Sequence, residues 1–420
     1  MDPNVEWDKI WNEVIDDCLN DNTEEEVIKL VCEAQQQANN TSRRRKRTVI
    51  DRSREEGHNR LFNDYFSENP VYTEAQFRRR FRMRRHVFLR IVEALGNHDE
   101  YFQIRSDAVG RMGLSPLQKC TAALCILAYG SPADSVDDYV RIGESTTLEC
   151  LDRFVMGVCT IFGSQYMRRP NNEDIARLLQ INAARGFPGM LGSIDCMHWE
   201  WKNCPVAWKG QFSRGDHGKP TIMLEVVASQ DLWIWHAYFG TAGSNNDVLS
   251  GKAPAVQYTV NRTTYHMGYY LADGIYPEWA TFVKTIPMPQ GEKRKLFAQR
   301  QESARKDVER AFGVLQARFA IVRGPARAWH VNTMKHIMLA CIILHNIIVK
   351  DERDTYAGNF DYDHIDNNFS TTEVSAGPDP NLTTLFERIA HVHQRQNHRQ
   401  LQADLIEHIW EKFGHENNES

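Results

Sequence analysis

At 420 residues, with 42% hydrophobic and 25% charged residues, the chain has an ordinary globular composition and room for two or three domains. No apolar run approaches the roughly 20 residues that cross a bilayer, and the N-terminus has no secretory apolar segment, so we expect a soluble, intracellular protein without membrane contact. Nine scattered cysteines, odd in number and never spaced C-x-x-C, read as reduced thiols.

Residues 1–60 combine an acidic amphipathic stretch, Val5 to Gln37, with a polar linker, and much of this part is expected to be disordered. The linker contains Arg43-Arg44-Arg45-Lys46-Arg47, which reads as a nuclear localisation signal. The net charge is only −5, yet the basic residues are grouped where a polyanion could be met.

Residues 61–180 read as an all-helical, helix-turn-helix-like domain. Its stretch from Ala75 to Arg90 has no acid. Arg78, Arg79, Arg80, Arg82, Arg84 and Arg85 lie there against an apolar stripe of Phe77, Phe81, Val87, Phe88, Ile91 and Val92. DNA phosphate contact and a solvated face are both open readings of that cluster. Ser115-Pro116 starts a helix that Gly130 closes. A short helix, Ala133 to Val140, a turn at Gly143 and a capping-box start at Ser145 complete the pattern. Helical bundles that never touch DNA share this spacing.

Residues 181–350 change to mixed strand and helix. Met190–Trp201, Pro220–Ser229 and Leu232–Gly240 are strand candidates with short links, hence most simply antiparallel. A short helix or loop follows Asp247 as a crossover, then a fourth strand, Gly268–Ala272, and helices at Glu292–Phe319 and Thr333–Lys350. This order makes an α/β, ribonuclease-H-like domain, a mixed sheet with flanking helices, plausible without fixing the strand pairing. Residues 351–420 form a polar linker and an amphipathic helix, Leu401–Phe413.

Three acids stand out in this domain. Alternation in the first strand puts Asp195 on one face with Ser193, Met197 and Trp199, where an unpaired carboxylate would be costly, so a positive group is expected beside it. Asp273 ends the fourth strand, with Gly274 allowing a sharp exit. Glu309 lies on the long helix at the edge of the stripe Val308, Phe312, Leu315 and Phe319. Carboxylates distant in sequence but gathered by a fold suit hard divalent cations. Cys196, His198 and Cys204 raise zinc only weakly, since no fourth ligand has a partner spacing. His198, Trp199 and Trp201 read as packing residues, and His345 and Asn346 as satisfied polar groups in a core helix. Arg214-Gly215-Asp216 reads as a hairpin loop near DNA.

The segments Gly192-Ser193-Ile194-Asp195-Cys196-Met197-His198-Trp199, Pro220 to Ala228, Gly243-Ser244-Asn245-Asn246-Asp247-Val248-Leu249, Leu271-Ala272-Asp273-Gly274-Ile275-Tyr276-Pro277 and Val308 to Phe319 together resemble the plant branch of the PIF/Harbinger transposases and their domesticated nuclease-like relatives. The resemblance covers about residues 60 to 350 and resumes weakly near Leu401–Gly414. It implies a DDE triad of Asp195, Asp273 and Glu309, none of them replaced. Asp247 matches a recurrent acid of the pattern and is ranked as a supporting residue rather than a direct ligand. The resemblance further implies a separate Myb-like partner that recognises the transposon ends and helps bring the transposase to the nucleus. Without that partner, some protein in the cytoplasm is expected.

The chemistry expected from such a triad is cleavage and strand transfer on double-stranded DNA with two Mg2+ ions, for which Mn2+ can substitute, by a homo-oligomer of a cut-and-paste transposase. Arg305, Lys306 and Arg310 flank Glu309 as phosphate contacts or as helix-surface salt bridges. Two alternatives stay open: a domesticated nuclear protein that is a nuclease or chromatin-binding factor with little transposition, and a helix-turn-helix regulator whose C-terminal part only dimerises.

Overall fold

The computed structural model describes residues 51–106, 110–213, 218–240, 255–356 and 395–415. The acidic stretch Val5–Gln37, the run Arg43–Arg47, the Arg214-Gly215-Asp216 loop and Asp247 lie outside them. Ser53–Gly377 with Leu382–Ser420 form one unit, and a second, Met1–Arg52 with Pro378–Asn381, falls almost wholly outside the described residues.

The N-terminal helices are α1 (Arg54–Tyr65), α2 (Glu74–Phe81), α3 (Arg85–His98), α4 (Pro116–Tyr129), α5 (Glu144–Tyr166) and α6 (Asn172–Ala184). In α4 the local signals act as read. Ser115 and Gln118 form a reciprocal capping box, Pro116 fills the first turn, and Gly130 ends the helix at φ 61°. Other boundaries move. Helix α1 starts upstream of residue 61. The basic stretch Ala75–Arg90 is two helices, because Arg82 turns left-handed (φ 62°) and redirects the chain. Helix α5 starts from Gly143 rather than Ser145. Buried Thr147 turns its hydroxyl back to donate to the Gly143 carbonyl, so the first turn forms before the serine.

The strands are β1 (Met190–Glu200), β2 (Thr221–Ala228), β3 (Ile234–Gly240), β4 (Ala255–Val260), β5 (Thr263–Met267), β6 (Tyr269–Ala272) and β7 (Phe282–Lys284), followed by helices α7 (Glu292–Arg318), α8 (Val331–Tyr356) and α9 (Arg395–Phe413). Five strands form one sheet in the order β3-β2-β1-β6-β7. Antiparallel pairing of β1 with β2 and β2 with β3, and parallel pairing of β1 with β6 and β6 with β7, make it mixed. With flanking helices this is a ribonuclease-H-like fold.

Between β3 and β6 the described residues form a hairpin, β4–β5, that the sequence reading did not expect; the start of the expected crossover after Asp247 lies outside the described residues. Its two turn residues, Asn261 and Arg262, both have positive φ (46° and 66°), the geometry of the tight hairpin turn that follows strand twist. Asn-Gly advertises that turn in sequence far better than Asn-Arg does.

The helical region and the sheet share one apolar core, in which Phe77, Phe88 and Phe154 join Trp199, Ile222, Phe312 and Ile342. Helix α8 is long and apolar enough to cross a membrane by length and composition, over Val331–Arg353, but 67% of that window is buried here. Within α8, Asn346 accepts from the Ile234 N–H of β3 at 3.0 Å and donates to the carbonyls of Ile234 (2.8 Å) and Tyr166 (2.7 Å). His345 meets the Leu232 carbonyl at 2.8 Å and Arg318 at 3.2 Å. Both are therefore satisfied core residues, as their place in an apolar helix suggests. At the other side of the sheet, α9 bonds to β7. His398 donates to the Phe282 carbonyl (2.7 Å) and Gln402 to that of Lys284 (2.9 Å).

Candidate active site

Strand β1 sits between β2 and β6, and its register fixes where Asp195 goes. Ser193 pairs in parallel with Leu271. Asp195 lies two residues further along β1, on the Ser193 face by alternation, and Asp273 one residue past the end of β6, so continuing the register sets the two level, and the Asp273 charge acts on Asp195. That face is the one toward α7: the buried Ser193 hydroxyl donates to the Ala304 carbonyl at 3.1 Å, and Gln316 lies 3.8 Å from the Met197 sulfur. Helix α7 thus runs along β1, and Glu309 falls between those two anchor points. Gly192 permits the close strand packing here, since a Cβ on it would lie 2.7 Å from the Ala228 carbonyl oxygen.

Asp273 is held by the frame around it. Gln301, fully buried in α7, donates to the carbonyls of Ala272 (3.3 Å) and Val283 (3.0 Å), joining β6 to β7 one residue before the acid. Lys284 donates to the carbonyls of Gly274 (3.2 Å) and Tyr276 (2.9 Å), one and three residues after it. The Asp273 carboxylate itself accepts from the Gly274 N–H. Gln301 and Lys284 escaped the sequence reading, although Gln301 interrupts the buried stripe of α7 that runs through Ala304, Val308, Phe312 and Leu315, a signal open to detection.

The positive group expected near Asp195 is Arg305. Its guanidinium lies 3.5 Å from an Asp195 oxygen and 2.9 Å from Glu309, one turn along α7. Asp195 also accepts from the Cys196 N–H at 2.8 Å. Burial raises its pKa above the usual carboxylate range. The Cys196 N–H and then Arg305 oppose the rise, while the charges of Asp273 and Glu309 add to it. Asp195 therefore feels the charges of both other acids. Among the described residues, however, no three His, Cys, Asp or Glu side chains converge closely enough to hold a metal ion as they stand.

The opposite face of β1 holds an acid the sequence reading passed over. Glu225 of β2 pairs directly with Cys196 and is 3% exposed. The Cys196 sulfur lies 3.7 Å from its carboxyl and 3.0 Å from the Tyr276 hydroxyl. Burial pushes the Glu225 pKa up to about 7. No zinc grouping forms here: Cys196 meets Tyr276, His198 meets Thr221, and Cys204 meets the Pro205 carbonyl. The seven cysteines of the described residues are free.

A family model described as plant transposon protein matches residues 164–356, from the end of α5 through the sheet to the end of α8. Residues 164–356 thus match a plant transposon protein domain, of the Harbinger DDE type. Residues 57–96 of this Harbinger-type protein match a second model, a domain of unknown function. Among curated proteins, the one named "Putative nuclease HARBI1" from Homo sapiens is 22% identical over 64% of this chain and 75% of its own length. Its counterparts from Bos taurus (22%; 58% and 70%) and Xenopus laevis (23%; 57% and 70%) are similarly distant. No solved structure gives a match.

Most of the candidate DNA-contacting basic residues have partners within the fold. Arg78 pairs with Glu352, and Arg84 lies 3.5 Å from Asp351, both acids of α8. Arg85 pairs with Glu74 at 3.4 Å. Arg80 and Arg82 lie over the Tyr129 ring at 5.2 and 4.9 Å, and Arg79 is exposed. Near Glu309, Arg310 pairs with Asp307 at 2.5 Å; Asp307 is 1% exposed and also meets Arg185 at 2.6 Å. Lys306 is exposed. In the position of a recognition helix, α5 presents Glu144, Glu149 and Asp152 to solvent, and its Arg153 pairs with Asp99 and Glu149. That surface repels a phosphate backbone.

Proposed function

We propose that this Harbinger transposon-derived protein is a metal-dependent DNA-cutting transposase whose carboxylates are Asp195, Asp273 and Glu309. The observation that supports the reading is the parallel β1–β6 pairing at Ser193 and Leu271: carried on past the end of β6 it sets Asp273 level with Asp195, and α7, which lies along β1, bears Glu309. The donor set fits a hard cation, being oxygen only, with Asp195 under the charges of the other two acids and Arg305 beside Asp195 and Glu309. A divalent metal bound there supplies activation of a water or 3′-hydroxyl and stabilisation of the leaving oxygen. The chain's own contribution is to fix the acids: Gln301 and Lys284 hold the β6 exit around Asp273, and burial with the Cys196 N–H orients Asp195. Strand cleavage and strand transfer share the site because only the attacking hydroxyl differs. The nuclease name of the vertebrate relatives points to the same chemistry.

The proposal includes Mg2+ as the working metal with Mn2+ as substitute, double-stranded transposon ends and target as substrate, action as a homo-oligomer, a nuclear site of action, and a Myb-like partner. The test incubates purified full-length chain with the matching element ends and Mg2+ or Mn2+, with and without that partner. Cutting that Asp195→Asn abolishes, with an unchanged circular dichroism spectrum, is the expected result. Metal-independent cutting, or cutting retained by Asp195→Asn, would overturn the assignment. Tight DNA binding without cutting would instead favour the domesticated, chromatin-binding reading.

A further inference from the structure

Arg305 occupies the place in the candidate site where a cation is wanted. Its side chain is 18% exposed, and its two terminal nitrogens reach carboxylates from two different elements, Asp195 of β1 and Glu309 of α7. A guanidinium suits that task, because its planar fork presents separate donors to separate acceptors. The i,i+4 contact with Glu309 alone would be an ordinary helix pair. The contact with Asp195 is different, since it spans from helix to sheet and ties together two of the three acids. The same three acids do not converge on a point that could hold a metal.

We propose that Arg305 is a resident counter-cation, which holds Asp195 and Glu309 in a closed, metal-free state and must be displaced before a divalent ion can join the three acids. The inference deepens the proposed function and rests on its site. In the closed state the buried Asp195 is neutralised without metal, so the fold does not depend on metal supply. Displacement leaves a free guanidinium one turn from Glu309, on the side that a phosphate would approach. Metal affinity is set lower than the three acids alone would give, which makes occupancy responsive to a substrate that supplies a competing partner for Arg305.

The full-length chain, without DNA, is titrated with Mn2+ by following the electron paramagnetic resonance signal of the free ion. Arg305→Gln is expected to bind Mn2+ about fivefold to tenfold more tightly than wild type, on the scale of two partly buried ion pairs. Arg305→Lys separates displacement from simple charge repulsion: it keeps the charge but replaces two separate nitrogens with one on a more flexible stem, which weakens the two-sided contact, so it should also bind more tightly. Wild-type affinity in the Lys variant, or no gain in the Gln variant, overturns the inference. Mn2+ binding that survives Asp195→Asn places the metal elsewhere and overturns the proposed site itself. On the wild-type chain, Mg2+ should raise phenylglyoxal labelling of Arg305 several-fold by mass spectrometry, and unchanged labelling would also count against displacement.

Discussion

Glu225→Gln changes one buried group and little else in volume. With burial moving its pKa from 4.5 to about 7, the native state holds a proton that the unfolded chain gives up. At about 1.4 kcal/mol per pKa unit, the shift corresponds to about 3 kcal/mol. The sign follows from linkage: an acid with a raised native pKa contributes stability below about pH 4.5 and loses it as pH rises toward 7. The amide, which never ionises, escapes that loss. The variant should match wild type near pH 4.5 and exceed it by about 3 kcal/mol at pH 8. His345 titrates with the opposite sign, since burial and then Arg318 lower its pKa to about 3, so stability falls on acidification below 6.5. Comparing urea midpoints of variant and wild type at each pH cancels that contribution. A Gln variant that is no more stable than wild type at pH 8 would refute the reasoning that Glu225 is a strained, buried acid.

Other substitutions test the frame. Asn346→Leu leaves the N–H and carbonyl of Ile234 and the carbonyl of Tyr166 without their partner; at about 1 to 3 kcal/mol per buried unsatisfied group, a loss of at least about 3 kcal/mol in chemical denaturation is expected. Gln301→Leu removes donors from the Ala272 and Val283 carbonyls. It should cost about 2 kcal/mol and weaken Mn2+ binding, whereas stability loss with unchanged binding would make Gln301 purely structural. Ending the chain before Arg395 uncovers Leu401's, Leu405's and Ile409's buried contacts and the β7 carbonyls; size-exclusion chromatography should show self-association, and a monodisperse, equally stable product would contradict the packing described.

The parts legible in the sequence are those decided by near neighbours. Ser115, Pro116, Gln118 and Gly130 set both ends of α4 by local hydrogen bonds and a left-handed residue, and all four can be read in order. Alternation in β1 predicts the face of Asp195, and the need for a positive neighbour follows from that face. Which cation answers that need is not local. Arg305 is 110 residues from Asp195 in sequence, and their contact depends on how α7 lies along β1. Glu225 looks like any polar residue in a strand until Cys196 and Tyr276 close around it. The Arg78–Arg85 cluster is non-local in the same way: counter-charges for Arg78 and Arg84, Glu352 and Asp351, arrive from the far end of α8. The β4–β5 hairpin is missed because Asn261-Arg262 adopts a turn that its composition only weakly encodes.

The way the two margins of the sheet are finished limits how this protein can recruit others. Asn346 supplies at Ile234 the hydrogen bonds an added strand would make, and His398 with Gln402 takes the Phe282 and Lys284 carbonyls. A peptide or second copy adding a strand at Ile234 or along β7 would have to evict a core asparagine or an entire docked helix.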